Sequence, residues 1–444
     1  MSLEEGKLNR SWQIPRDRCD DHRLYLVRGK RVCMALPAAL AILLLVGLSA
    51  GGCRSKETAT PTPTKTPTTA PLVTATPTAN LLPPTATPTT NVPTPTSSAT
   101  ATPTPTPTAT AEPTLALVAI GPDVNPLTGL KVDDPARLER RPLAIKMPNY
   151  PPEARPLSGI SLADVVIEHE AEAHLTRFAA IFLGNDASLV GPIRSLRLVD
   201  AETVPIFKAV LVASGGHPAV KIRITEGRPW AEGYKRIICP EAPFLGDGGT
   251  GRRIPDKKPI YELTWYSDTP GMWNLCTKRG VNQRQDFYNM FVFSETPPGG
   301  GREATHLKVV YKAAVSETEY RYDAESRTYK RFDMGEPTVD ELTGAQVGPS
   351  NVIVLYVNHV DSDIMADTHD LDNPWYSVSI QLWGQGPARL LRDGQVYDCT
   401  WVRENPQQDN DRLIFLGGEG KQIPFRPGPT WMQLVRLDGN VTID

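Results

Sequence analysis

Cysteine is scarce in this chain of 444 residues, and the chain lacks an apolar run long enough to cross a bilayer. Only Cys239, Cys276 and Cys399 follow residue 53, which excludes a scaffold held by several disulfides. Two alternatives stay open for these thiols: one bridge between Cys239 and Cys276, or three buried free cysteines. The longest apolar run, 34–48, has 15 residues, whereas a spanning helix needs about 20.

A surplus of basic residues is also missing. Residues 121–444 hold 36 Lys and Arg against 43 Asp and Glu, a net charge of -7. Nucleic-acid affinity depends largely on neutralising phosphates with Lys and Arg. The composition therefore predicts no nucleic-acid partner.

Motifs typical of catalysis or cofactor binding are absent as well. Ser195 lacks the GxSxG elbow, and no Ser/His/Asp order is discernible. The glycine-rich segment 246–253 lacks the GK[ST] ending of a phosphate loop. Segment 359–372 gathers five aspartates and two histidines without the EF-hand spacing. We therefore predict no cofactor and no resident metal, and a non-enzymatic role is favoured over an enzymatic one.

The N-terminus has the three parts of a secretory signal. Basic residues precede the apolar run 34–48, and the small residues SAGG (49–52) follow it, directly before Cys53. This ending resembles the bacterial lipobox, with Ala50 where Leu is usual. We predict that 1–53 is a lipoprotein leader with a long n-region and that Cys53 is lipidated, which places the mature protein on the outer face of the cytoplasmic membrane. Plain cleavage and a retained anchor are the alternatives.

A Thr/Pro-rich segment follows the leader. Residues 54–120 contain 14 prolines, repeated Thr-Pro and Ala-Thr units and no aromatic residue. Such a segment cannot bury enough apolar surface to offset its conformational entropy, and its prolines favour extended polyproline II. It is predicted to be a disordered stalk that holds the following domain away from the membrane.

The remaining 324 residues have ordinary globular composition and suffice for two domains or subdomains. β-Branched and aromatic runs predict many strands, short turns and one short helix, over 201–208 with Asp200 as its cap. These features argue for an α+β fold with largely antiparallel sheets. The predicted strands lie at 142–147, 164–170, 176–183, 209–214, 306–311, 319–323, 327–332, 351–360, 376–384, 394–402 and 430–435.

Several strings in one order resemble the YerB-like bacterial lipoproteins, a family of paired N- and C-terminal domains of unknown function. The resemblance covers nearly all of 121–444 and implies a layered sandwich of antiparallel or mixed sheets with a few helices. It divides the chain into an N-terminal domain, 121–300, and a β-rich C-terminal domain, 301–444, and supplies no reaction. The strings are NPLTG (125–129), RRPLAIKMPN (140–149), ARPLSGISLADVVIE (154–168), LTRFAAIF (175–182), GPIRSLR (191–197), YDAESRTYKR (322–331), NVIVLYV (351–357) and PGPTWMQLV (427–435).

The resemblance also marks individual positions. Two departures from the family pattern stand out: Ala173 and His174 replace the usual Gly-Gly, and Trp273 stands where relatives often have a histidine. The matching positions are Arg155, Glu168, Glu172, Arg177, Arg194, Ser195 and Arg197.

The densest polar cluster is EHEAEAH, 168–174. If the backbone is extended there, Glu168, Glu170, Glu172 and His174 share one face. Carboxylates beside an imidazole could bind a divalent metal or act as acid and base. The alternatives are an ion-pair network with nearby arginines and a solvated face.

An arginine group follows this cluster. Arg194 and Arg197 flank Ser195 just before the predicted helix, and guanidinium groups beside a helix N-terminus form an anion site. A wall phosphate, a carboxylate or an acidic sugar would fit, whereas internal pairing with Glu168 and Glu172 is the alternative. His217, in a turn after a predicted strand, could line a cleft or simply lie on the surface. The ligand-binding candidates are Arg155, Arg177, Arg194, Ser195, Arg197 and His217.

Three functions are compatible with these features. The leading hypothesis is a binding or scaffold module for a cell-envelope component such as a wall glycan, held at the membrane by a lipid anchor. The second is an envelope hydrolase that uses Glu168, Glu172 and His174, with a metal as a further option. The third is a partner for an envelope protein, for which a broad exposed apolar patch would be the sign.

Overall fold

The computed structural model describes residues 115–239, 249–287, 290–311, 316–366, 374–408 and 410–444. All of these residues belong to one compact unit. The predicted leader, the lipidation site Cys53 and the stalk as far as residue 114 lie outside the described residues.

Strands predominate over helices in the described part of the chain, which contains twenty strands and three α-helices. The strands are β1 (Leu143–Pro148), β2 (Val165–Glu170), β3 (Thr176–Phe182), β4 (Val210–Val212), β5 (Ile237–Ile238), β6 (Arg252–Arg253), β7 (Trp265–Tyr266), β8 (Arg302–Glu303), β9 (His306–Val310), β10 (Glu317–Asp323), β11 (Thr328–Asp333), β12 (Glu336–Pro337), β13 (Asn351–Tyr356), β14 (His359–Met365), β15 (Tyr376–Ile380), β16 (Gly384–Arg392), β17 (Gln395–Glu404), β18 (Arg412–Leu416), β19 (Thr430–Val435) and β20 (Asn440–Ile443). The helices are α1 (Asp200–Ile206), α2 (Pro218–Thr225) and α3 (Thr269–Lys278).

A large mixed sheet of eleven strands combines both halves of the chain. Its order is β18-β17-β16-β13-β19-β2-β3-β1-β4-β5, with β8 beside β17. The neighbours β13, β19 and β2 are parallel, as are β1, β4 and β5, and the other neighbouring pairs are antiparallel. Every residue of β1, β2, β3 and β19 is buried, as expected where both faces of a sheet are covered.

A smaller antiparallel sheet has the order β12-β11-β10-β9-β20. Buried residues alternate with more exposed ones along β9 and β11, which is the pattern of a sheet with one face on a core and one toward solvent. Two further pairs, β14 with β15 and β6 with β7, form separate ribbons.

Two hydrophobic cores lie on opposite faces of the large sheet. Adjacent residues of β2 belong to different cores, Ile167 to the first and Val166 to the second. The first core includes Val204 of α1, and the second includes Trp273 of α3 and Tyr329 of the small sheet. The fold is therefore α+β and layered, as predicted, with α1 and α2 on one side and the small sheet with α3 on the other.

Most predicted strands are present, and three local predictions were wrong. Asp200 is the first residue of α1 rather than its cap, which is Val199. The predicted strand 351–360 is interrupted between β13 and β14, and α2 and α3 are present although the sequence predicted only one short helix. The boundary at residue 300 stays a prediction, although β2 and β19 from its two sides are hydrogen-bonded neighbours.

Of the two alternatives that the sequence left open for the cysteines, the structure shows three buried free thiols and no Cys239–Cys276 bridge. Cys239, Cys276 and Cys399 are free and buried. Burial raises the pKa of the Cys276 and Cys399 thiols to about 12, so both are protonated at neutral pH.

None of the helices among the described residues is long and apolar enough to span a bilayer.

Candidate anion site at the carboxyl edge of the sheet

Seven strands of the large sheet run in the same direction, so their carboxyl ends lie along one edge. This is the edge at which open sheets with parallel strands usually bind ligands. Lys146 and His169 lie near the ends of β1 and β2, and Arg177 lies at the start of the antiparallel β3 between them. The segment before α1 crosses this edge, because the amide of Arg194 donates to the Lys146 carbonyl oxygen (2.8 Å) and the Ser214 amide donates to the Arg194 carbonyl oxygen (3.0 Å).

Three fully buried side chains lie at this edge, Lys146, His169 and Asp200, and Lys146 is in contact with the other two. Lys146 Nζ lies 2.7 Å from Asp200 Oδ1 and 2.7 Å from His169 Nε2. Since His169 Nδ1 donates to the Glu170 carbonyl oxygen (2.9 Å), Nε2 is the acceptor from Lys146 and the imidazole is neutral. Burial, together with the Lys146 charge, holds the pKa of His169 well below its ordinary value.

Arg177 lies directly opposite His169 in the β2–β3 pairing, so the two side chains share a face. Its Nη1 donates to the Thr176 carbonyl oxygen (2.8 Å), while its Nε is buried without a hydrogen-bond partner in the described residues. Burial first, and then the charges of Arg197 and Arg194, lower the pKa of Arg177 to about 9. The guanidinium remains charged at neutral pH but in unfavourable surroundings that an anion would relieve.

Within the arginine group, Arg197 is paired with Glu172. Arg197 Nε lies 2.6 Å from Glu172 Oε2, and Ser377 of β15 donates to Glu172 Oε1 (3.2 Å). The indole of Trp375, 42% exposed, packs edge-on against His174 with 5.6 Å between ring centroids. An exposed aromatic ring thus lies beside His174, which belongs to the same short turn as Glu172.

Glu168 points to the opposite face of the sheet, where it is the centre of a second polar network. It is fully buried and ion-paired with Arg331 (3.0 Å). Its carboxylate also accepts hydrogen bonds from Asn149, Thr176, Thr318, Trp431 and Gln433. With its lone pairs occupied by donors, Glu168 is poorly placed to bind a metal or move a proton.

The polar cluster 168–174 does not stay extended. The strand ends at Glu170, and Glu172–His174 form a short 3₁₀ turn in which Ala173 and His174 have φ of 57° and 56°. The predicted shared face therefore includes Glu168 and Glu170 but not Glu172 and His174. His174 Nδ1 instead lies 2.5 Å from Glu170 Oε1, which Arg436 also contacts (2.7 Å).

The other candidates occupy different places. Arg155 pairs with Asp333 near the small sheet, away from Arg177, Arg194 and Arg197. His217 caps α2 by accepting from the Ala219 amide (3.2 Å), and Ser195 is half-buried.

Trp273 is buried in α3. It donates to the Arg141 carbonyl oxygen (2.9 Å) and packs 3.2 Å below the Arg140 guanidinium. In this chain the position serves packing.

Sequence reasoning missed Lys146, His169 and Asp200 as site residues. A lysine within the apolar strand LAIKMP and a histidine at a buried strand end were the available signals, because a buried charge requires a partner. Within the described ranges, no three His, Cys, Asp or Glu side chains are grouped as a metal site.

Comparisons with known proteins identify relatives of this chain. Residues 127–237 match the family model "Protein of unknown function (DUF3048) N-terminal domain", and residues 307–432 match its C-terminal counterpart. The chain is 31% identical over 314 residues to a protein of Bacillus subtilis (strain 168) named "Putative lipoprotein YerB", which covers 70% of this chain and 85% of that protein. The crystal structure of YerB from Bacillus subtilis superposes with a TM-score of 0.56 at 28% identity, over 72% of this chain and 99% of that one.

Proposed function

Because the chain belongs to the YerB family, we propose that it is a lipid-anchored extracytoplasmic binding module that holds an anionic group of a cell-envelope component on Arg177, Arg194 and Arg197. The name of the Bacillus relative, a lipoprotein, supports the anchor and the location. The sequence supports them independently through the leader and Cys53.

One observation carries the proposal: the buried guanidinium of Arg177 has no carboxylate within ion-pair distance among the described residues. Lys146 is neutralised by Asp200, and Arg197 by Glu172, so Arg177 adds an uncompensated positive charge to this edge. Buried charges in proteins are normally paired. An anion bound at Arg177 would supply the missing partner through charge-assisted hydrogen bonds.

The surroundings favour an acidic sugar over a bare anion. Trp375 offers a flat, partly exposed ring against His174, two residues after Glu172, and an indole combines apolar area with a polar edge. A sugar ring packed on this indole, with its carboxylate toward Arg177, would use both features.

The test is a thermal-shift and calorimetric titration of the full-length protein with N-acetylmuramic acid, glycerol 3-phosphate, MgCl₂ and ZnCl₂. A ligand at a hundred times its Kd raises stability by about 2.7 kcal/mol. We expect N-acetylmuramic acid to bind and Arg177→Met to weaken it by roughly tenfold or more, since a hydrogen bond to a charged group contributes about 1.5–3 kcal/mol.

The matched control is Arg302→Met, which removes the same charge from an exposed pair with Asp398 and should leave the Kd unchanged. Equal weakening in both variants would refute a specific site. A shift with metal alone that survives Arg177→Met would favour the hydrolase hypothesis. No shift with any probe would contradict the anion-binding module and leave a protein partner as the remaining hypothesis.

A further inference from the structure

A cavity of about 390 Å³ on the side of the large sheet opposite Arg177 is lined by Phe178 of β3 and by residues of β11 and β12 of the small sheet. Its volume is within the range of small-molecule sites, which combine apolar walls with a few polar groups. The walls include Asn149, Arg155, Phe178, Arg331, Pro337 and Val339.

Two residues that line this cavity each have a buried polar atom without a hydrogen-bond partner in the described part of the chain: Asn149 Oδ1 and Arg331 Nε. Asn149 is 4% exposed and Arg331 is fully buried. Buried polar groups are nearly always satisfied, and leaving one unsatisfied costs about 1–3 kcal/mol. One unpartnered acceptor and one unpartnered donor therefore belong to residues that line the same cavity.

The orientation of the Asn149 amide follows from its neighbours. Its Nδ2 lies 2.8 Å from Thr176 Oγ1 and 3.4 Å from Glu168 Oε1. Because the Glu168 carboxylate can only accept, the amide nitrogen must face it. Asn149 Oδ1 is thereby directed away from that network.

The remaining hydrogen-bonding capacity of Arg331 is similarly defined. Its Nη1 donates to Thr338 (2.7 Å), and its Nη2 donates to Glu168 (3.0 Å) and Asp333 (3.2 Å). Arg155 pairs with the other oxygen of Asp333. Two guanidinium groups are thus balanced by two carboxylates, so a neutral ligand is favoured over a charged one.

We propose that this cavity binds a neutral secondary amide, whose N–H donates to Asn149 Oδ1 and whose carbonyl oxygen accepts from Arg331 Nε. The apolar walls, Phe178 and Pro337 among them, would receive the group attached to the amide. Two sources share this chemistry: the N-acetyl group of an amino sugar and a peptide bond. The site is independent of the proposed anion site, because it lies on the other face of the sheet.

The experiment is a ligand-observed NMR titration of the full-length protein with N-acetylglucosamine and, separately, with N-acetyl-L-alanine N-methylamide. We expect at least one probe to bind and Asn149→Ala to weaken it by roughly tenfold. Since Asn149 also supports Glu168, a second variant is needed that leaves the network intact. Val339→Trp fills the cavity from its exposed side, because Val339 is 38% exposed, and should abolish binding.

Val360→Trp is the matched control, since Val360 is a similarly exposed valine on β14, and Arg177→Met should also leave this binding unchanged. Binding of N-acetylglucosamine alone would identify an amino-sugar site, and binding of N-acetyl-L-alanine N-methylamide alone would identify a peptide site. Binding that survives Val339→Trp, or no binding of either probe, would overturn the proposal. The cavity would then be a solvent-filled space without a ligand.

Discussion

Replacing Arg331 by Met would leave the buried carboxylate of Glu168 without a cation. Both side chains are fully buried, and Arg331 is the cation in ion-pair contact with Glu168. Removing one partner of a buried pair typically costs 3–5 kcal/mol, so we expect Arg331→Met to lower the free energy of unfolding by about 4 kcal/mol. Glu168→Gln should cost less, because Arg331 keeps a second carboxylate, Asp333, at 3.2 Å.

Urea denaturation of the full-length protein, followed by tryptophan fluorescence, measures both changes. Arg284→Met is the control, because Arg284 pairs with Glu139 at the surface and such pairs contribute about 0–1 kcal/mol. A stabilising role of the Arg331 charge is contradicted if Arg331→Met costs no more than the control, or if Glu168→Gln costs more than Arg331→Met. Either result would mean that the hydrogen-bond donors around Glu168 stabilise its charge without the guanidinium.

Two further predictions concern pH and backbone conformation. Burial raises the pKa of Asp164 to about 6, above the unfolded value of 3.8, so the contribution of Asp164 to stability should be fully present below about pH 4 and fall by roughly 3 kcal/mol as pH rises to 6 and beyond. Asp164→Asn should reduce the difference between the free energies of unfolding measured by urea denaturation at pH 4 and pH 7. The same difference in the variant and the wild type would contradict a raised pKa for Asp164. Ala173→Gly should stabilise by about 0.5 kcal/mol, because Ala173 has a φ of 57°. Ala171→Gly, at a φ of -124°, should destabilise, and the same sign for both variants would refute the argument.

The strands were predictable because their signal is local. The runs VVIE and TRFAAIF are β-branched or aromatic and are separated by a short polar segment, which is sufficient to predict the β2–β3 hairpin. The helix α3 was missed because Pro270 and Gly271 suggest a loop. Asp268 and Pro270 are nevertheless good start signals for a helix, and the Asp268 side chain accepts from the Gly271 amide at the N-terminus of α3.

The polar networks were less predictable, because their partners are far apart in the chain. Glu168 and Arg331 are separated by 163 residues, and no periodicity connects them. The sequence placed Arg177, Arg194 and Arg197 in one group, since they lie within 21 residues. It could not separate Arg155 from them, because that depends on Asp333 in the small sheet.

The register of β2 connects the two networks. Glu168 faces Arg331 on one side of the sheet, and the next residue, His169, faces Lys146 on the other. Since the side chains of a strand alternate, a shift of one residue would exchange the faces. It would turn the Glu168 carboxylate away from Arg331 and set His169 among the donors of the second core. Glu168 and Arg331 would then be buried apart from each other, and separating a buried ion pair costs several kcal/mol. The two polar networks therefore specify the pairing of a strand whose apolar residues, buried on both faces, would tolerate the shift.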